Sequence, residues 1–295
     1  MHKLPNERHP EQLLHQNTIA VVFNIFKTLV NRAIEIDDKM KPEHNPFMKF
    51  KYKTLKTEKE KLNATELDAI RALDLQENSL IWHCRNYFFF SFYCAGIRAG
   101  DLIQLRWCNI TTDNRLQYQM GKNHKTRDLK LVQQALDILE LYKTGNVKPN
   151  DYIFPLLDDS EQWSKYVTQE QKDVMPSALK KRMYEVIGSK NALINKELDK
   201  IRKLAGLEKR VSFHISRHSF AKAAKDAGID NLEVKALLAH TNLSTTQKYM
   251  GDFDTEQNDA ALDTIFKHDD EAALLKQLKG VNPALLQRVL AQLVL

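Results

Sequence analysis

The stretch Trp82-His83-Cys84-Arg85-Asn86-Tyr87-Phe88-Phe89-Phe90-Ser91-Phe92-Tyr93-Cys94-Ala95, followed at once by Gly96-Ile97-Arg98-Ala99-Gly100-Asp101-Leu102, decides the architecture. Across residues 87–93 the first half is apolar on every side of a helix, and such a helix is buried all round. The aromatic run therefore reads as core, not as a platform for stacking bases. In the second half a single arginine stands between two glycines. Gly96 and Gly100 permit a sharp backbone turn that would aim Arg98 inward, with Asp101 placed to hold it by a charge-assisted hydrogen bond. The alternative is a surface arginine at a helix end.

Towards the N-terminus, Asn63 and Glu66 form a capping-box pair for a helix through Leu73. Before it, residues 47–62 carry Lys49, Lys51, Lys53, Lys56, Lys59 and Lys61 against only Glu58 and Glu60. They read as an exposed linker whose lysines either face solvent or follow a nucleic-acid backbone. Earlier still, Ile19, Val22, Phe23, Phe26, Val30, Ala33 and Ile34 recur at helical steps, the stripe of an amphipathic helix over residues 12–38 that Pro42, Asn45 and Pro46 close.

Towards the C-terminus, residues 115–120 and 128–131 read as two short strands joined by the polar loop Gly121-Lys122-Asn123-His124-Lys125-Thr126. Helical steps return from Ala135, and Leu285, Leu286, Val289, Leu290 and Leu293 place one apolar face on a tail helix. The expected fold class is mainly α with a small antiparallel β-hairpin (α+β). A partial helical domain covers residues 1–45, a basic linker 46–62, a larger domain 63–255 and a helical tail 256–295.

With 295 residues, 43% of them hydrophobic, the chain can build two domains around packed cores. Its 44 Lys plus Arg against 38 Asp plus Glu, a formal charge of +6, suit a polyanionic partner without requiring one. Cys84, Cys94 and Cys108 show no CxxC and no Cys/His spacing, so they read as buried thiols of a reducing compartment and not as disulfides or zinc ligands. The start MHKLPNERHP has no secretory apolar run, and the aromatic stretch is too short to span a bilayer. A cytoplasmic protein is expected, with no membrane contact.

Three further segments concentrate chemistry. In Ser212-Phe213-His214-Ile215-Ser216-Arg217-His218-Ser219-Phe220, His214 and Arg217 are three apart and share a helix face, which serves either one ligand or an ordinary polar surface. Gly228 supplies that helix's stop. Leu237-Leu238-Ala239-His240-Thr241 leads into Leu243-Ser244-Thr245-Thr246-Gln247-Lys248-Tyr249. There Ser244 and Gln247 form a second capping box and Tyr249 rides on the following turn. A tyrosine so placed is a packing residue or a nucleophile.

The ordered series Arg98, a hairpin lysine, His214-x-x-Arg217, His240 and Tyr249 resembles the signature of the tyrosine recombinase, or phage integrase, family, over residues 55–251. That resemblance implies a tyrosine-recombinase catalytic domain over residues 63–255, preceded by a core-binding helical domain. It also implies a metal-independent DNA strand transferase acting in DNA integration and recombination, with double-stranded DNA and a homotetramer on paired sites as partners. Tyr249 would attack phosphorus, Arg98 and Arg217 would clamp the phosphate, His214 would assist proton transfer and His240 would donate to a phosphate oxygen. Lys122 would protonate the departing 5′ hydroxyl, with Lys125 as the competing hairpin lysine. No metal or organic cofactor is required.

The chain departs from the family in two places. Residues 1–45 are short for a core-binding domain of about four helices, so the chain is either a shortened relative or has lost its beginning. Ala239 stands where glycine is common. Two other functions fit the same residues: a DNA-binding accessory protein without productive recombination, and strand relaxation of the type IB topoisomerase kind. The tail helix packs on its own domain or, as the family resemblance implies, on a neighbouring subunit.

Overall fold

A computed structural model describes residues 5–6, 9–50, 52, 54–55, 60–121, 124–239, 259 and 262–266, in two units, Met1–Lys59 and Glu60–Leu295. In the first, β1 (Pro5–Asn6) pairs antiparallel with β2 (His9–Leu13), a hairpin that no alternation in the sequence announces. The striped helix follows as α1 (Gln16–Glu35), whose N-cap His15 accepts from the Asn17 amide through Nδ1 at 3.2 Å. Part of the segment read as an open linker is tied to α1. Phe50 and Tyr52 stack on Phe23 with centroids at 5.0 and 5.1 Å, and the Asn17 amide group bonds both backbone atoms of Leu55.

The second unit begins with α2 (Ala64–Arg71), where Asn63 and Glu66 exchange the two hydrogen bonds of a capping box. The aromatic stretch forms α3 (Leu80–Tyr93), and every residue from 87 to 93 is buried. Burying one such aromatic side chain stabilises by about 1.5–3 kcal/mol. Tyr87 and Phe90 meet Phe154 edge-on at 5.1 Å, and Phe92 meets Phe220 at 6.4 Å. The run is core, as its pattern requires.

After α3 come α4 (Ala99–Leu102) and the hairpin of β3 (Arg115–Gln119) and β4 (Thr126–Lys130). Its register sets Leu116 opposite Leu129 and Tyr118 opposite Arg127. Pairing reaches Gln119 and Thr126, so β4 starts two residues earlier than the apolar pattern suggests. Then follow α5 (Gln133–Glu140), α6 (Gln169–Asp173), α7 (Ser177–Leu204), α8 (Phe213–Asp226) and α9 (Asn231–Leu237). Helices α5, α7 and α8 pack around α3, which makes it the axis of the unit. The described residues are mainly helical with two small antiparallel hairpins, the expected fold class plus one hairpin.

Cys84 and Cys94 are buried, and burial pushes the Cys84 thiol up to about 12. Cys108 departs from the expectation of three buried thiols. It lies exposed in a 3-10 turn at residues 107–109. The tail helix expected around Leu285–Leu293 lies outside the described residues.

Candidate active site

The turn after α3 is built around one close approach. Ala95 and Gly96 both take positive φ, 50° and 68°, and the Gly96 amide returns to the Ser91 carbonyl at 2.7 Å. A Cβ on residue 96 would lie 2.6 Å from Arg217 Cγ, 2.7 Å from its Cβ and 2.8 Å from its Cα. Only glycine lets the turn lie against α8 at that distance. Gly100 has no such duty: it sits inside α4, and the nearest atom to an added Cβ is Ile187 Cγ2 at 4.0 Å. The expectation that both glycines make the turn is corrected to Gly96 alone.

A buried hydroxyl pair locks the same contact. Ser91 Oγ lies 2.7 Å from Ser216 Oγ and 2.9 Å from the Ile97 carbonyl, while Ser216 Oγ lies 2.6 Å from the Phe213 carbonyl. Each hydroxyl has one proton, so two of these three contacts are made at a time. When Ser216 donates to Ser91 and Ser91 to the Ile97 carbonyl, the turn bearing Arg98 is bonded through α3 to the helix bearing Arg217.

Arg217 is 6% exposed and donates from Nη1 to the Gly96 carbonyl at 2.7 Å and from Nη2 to the Leu238 carbonyl. Burial, with the positive charges of Arg98 and Arg127, pushes its pKa down to about 10. It therefore stays charged at neutral pH, but under electrostatic load. Two of its five N–H donors go to carbonyls, which leaves the others for an oxyanion. Arg98, half-buried at the N-cap of α4, places Nη1 3.4 Å from Met120 Sδ at the end of β3.

Asp101 departs from its expected role. It makes no hydrogen bond to Arg98; its Oδ1 accepts the Gly121 amide at 3.0 Å, because the hairpin's end reaches the carboxylate from the other side. Burial pushes the Asp101 carboxyl up, and the charges of Arg98, Lys172 and Arg127 act in the opposite sense. Asp101 thus fixes the hairpin against the helix that follows Arg98.

Arg98 and Arg217 are brought together. His214 lies one turn earlier on α8 and is exposed, with its ring 4.6 Å from that of half-buried His218. His214 is thus exposed on α8, while Arg217, three residues on, is buried. Lys125 is exposed beside the hairpin turn. Lys122, His240 and Tyr249, with the capping pair Ser244 and Gln247, lie outside the described residues. The described chain stops at Gly121 before Lys122 and at Ala239 before His240.

Arg127 is the residue that sequence reading passed over. It is 6% exposed and donates to the carbonyls of Ala236 at 3.4 Å and of Leu237, at the C-terminal end of α9. A signal existed: Arg127 shares the strand's two-residue period with Leu129 and Leu131, so its side chain had to face the core. Among the described residues no His, Cys, Asp and Glu cluster could hold a metal ion, and no helix is long and apolar enough to cross a membrane.

Residues 68–256 match the phage integrase family. Over 158 residues the chain is 32% identical to the tyrosine recombinase XerC of Syntrophus aciditrophicus, covering 54% of this chain and 46% of that one. Over 169 residues it is 30% identical to a tyrosine recombinase of Thermosipho africanus, covering 57% and 50%. The chain spans about half the length of the curated relatives it matches. Among solved structures it is similar to the integrase of mycobacterium phage Brujita, at 16% identity and a TM-score of 0.48, covering 78% of this chain and 66% of that one.

Proposed function

The chain belongs to the phage integrase family, and from that membership we propose that it is a site-specific recombinase, cutting and rejoining double-stranded DNA through a 3′-phosphotyrosyl link to Tyr249. One observation carries the reading: buried Arg217 on α8 donates to the Gly96 carbonyl, two residues before Arg98, so that two guanidinium groups meet at the turn after α3 and the positive charge of Arg98 helps to lower the Arg217 pKa. Like charges gathered in a partly buried place cost free energy that a bound phosphate returns.

In this mechanism Arg98 and Arg217 hold the non-bridging oxygens of the scissile phosphate. Planar, permanently charged forks suit that task better than lysine. Tyr249 attacks phosphorus, the phosphorus bond to the 5′ oxygen breaks, and Lys122 gives the departing oxygen its proton. His214, exposed on α8, takes part in moving the phenol proton, and His240 donates to a phosphate oxygen. The tyrosyl ester keeps the phosphodiester's bond energy, so a 5′ hydroxyl from another strand reverses the attack without ATP. Exchange between duplexes requires two paired sites and four copies of the chain.

The test is incubation with nicked or half-site DNA in EDTA, followed by a denaturing gel and mass mapping. A protein–DNA adduct at Tyr249 that disappears in Tyr249→Phe is the expected result. DNA binding without an adduct would replace this reading with that of an accessory protein.

A further inference from the structure

The hairpin β3–β4 reaches the chain on both sides of the segment that contains His240 and Tyr249. On the near side, Arg127 donates to the carbonyls of Ala236 and Leu237, 109 and 110 residues away in sequence. These carbonyls close the last turn of α9, that of Ala236 also accepting the Ala239 amide at 2.8 Å, and a cation there complements the helix dipole. On the far side, Arg115 Nη1 and Nη2 lie 2.6 and 3.4 Å from the two oxygens of Asp259, 144 residues away. The Lys130 amide adds a bond to Asp259 Oδ1 at 3.3 Å.

The far contact is more than a surface ion pair. The Arg115 and Asp259 side chains are 15% and 20% exposed, the pair is two-pronged, and Arg115 Nε is held in turn by Asp128 at 2.6 Å. The neighbouring pair of Lys130 and Asp263 is 43% and 55% exposed, and such pairs contribute little. Just beyond, Leu262 and Phe266 are buried, with Phe266 packed on Phe92 and Tyr93 at 5.5 and 5.2 Å. Packing sets the depth of this part of the chain, while the directional contact from Arg115 sets where it lies along the hairpin.

We propose that Arg127 and Arg115 are positioning residues: through them the hairpin holds the chain at residues 236–237 and at Asp259, on the two sides of the segment that carries His240 and Tyr249. The same hairpin is bonded to the Arg98 region through Asp101 with Gly121 and through Arg98 with Met120. One small element is thereby bonded to the Arg98 region and to both described flanks of that segment. The proposal rests on the recombinase reading for its catalytic consequence, though not for the two contacts themselves.

The test compares the parent with Arg115→Gln, Asp259→Asn and the double variant in single-turnover adduct formation on half-site DNA, at saturating protein, beside the dissociation constant for the same DNA. Misplacing reacting groups by about 1 Å costs up to about 100-fold. Each single change is therefore expected to slow adduct formation about 10- to 100-fold at unchanged DNA affinity. The double variant is expected to be little slower than the slower single, since the Arg115–Asp259 contact is common to both, and Asp259→Glu is expected to recover most of the rate. Parent-like rates, or rates that fall only as DNA affinity falls, would overturn the proposal.

Amide exchange without DNA separates this outcome from a failure of the recombinase reading. The Lys130 amide should exchange faster in Asp259→Asn, and the last-turn amides of α9 faster in Arg127→Met. If the parent forms no adduct, the recombinase reading fails, and faster exchange at both places still supports the two anchors. Unchanged exchange at both would overturn them.

Discussion

Replacing Gly96 by alanine tests the contact on which the candidate site is built. The added methyl would sit 2.6, 2.7 and 2.8 Å from Arg217 Cγ, Cβ and Cα. Ordinary carbon contacts are about 3.5–4.0 Å, so all three fall short by roughly 1 Å. Because one of these atoms is backbone, no rotation of the Arg217 side chain relieves the clash. An L-residue at the observed φ of 68° adds about 1–2 kcal/mol to an overpacking cost of about 1–3 kcal/mol. The expected loss of stability is thus about 2–5 kcal/mol.

Urea unfolding with far-UV circular dichroism reads the change directly. Gly100→Ala is the internal control. Its Cβ meets nothing closer than 4.0 Å inside α4, so it should be neutral or stabilise by about 0.5–1 kcal/mol. Where Gly96→Ala still folds, moving the turn off α8 displaces Arg217 relative to Arg98, and adduct formation should fall about 100-fold. A Gly96→Ala protein within about 0.5 kcal/mol of the parent, the scale of an ordinary surface change, would refute the close-approach account, as would a Gly100→Ala protein that lost as much.

Arg217→Lys keeps the charge but cannot reach both the Gly96 and Leu238 carbonyls, so one buried acceptor loses its donor at about 1–3 kcal/mol. Adduct formation in that variant should fall about 10²- to 10³-fold; parent-like cleavage would remove Arg217 from the clamp. Ala239 takes φ 47°, the left-handed region that favours glycine, so Ala239→Gly should raise the urea unfolding free energy by about 1 kcal/mol, and a loss would show the turn unstrained. Sulfate should raise the midpoint of thermal unfolding more than chloride at equal ionic strength, by up to about 2.7 kcal/mol of linkage at a hundred times its dissociation constant. The difference should shrink in Arg98→Ala to the general kosmotropic effect of sulfate, and an undiminished difference there would place the anion elsewhere.

Much of the fold was legible in the sequence because the relevant physics is local. A helix apolar all round must be buried, and residues 87–93 are. Asn63 and Glu66 cap α2 as their spacing requires, the strands of the β3–β4 hairpin lie where expected to within two residues, and α8 ends near Gly228 with its φ of 81°. The ordered series from Arg98 to Tyr249 pointed to the family that residues 68–256 match. The first hairpin, β1–β2, was not legible, since its short strands carry no two-residue alternation.

The tertiary structure alone decided which local options are used. Two glycines flank Arg98, but only Gly96 lies against a backbone 121 residues further on. Asp101 can reach Arg98 in sequence terms, but its carboxylate takes the Gly121 amide. Arg127 looks like any charged strand residue until its burial and its bonds to the end of α9 are known. Periodicity and capping report contacts within about one helical turn or one strand repeat. A contact between residues more than 100 apart leaves no period in the sequence, so close approach, burial of charge and choice of hydrogen-bond partner appear only when the helices pack.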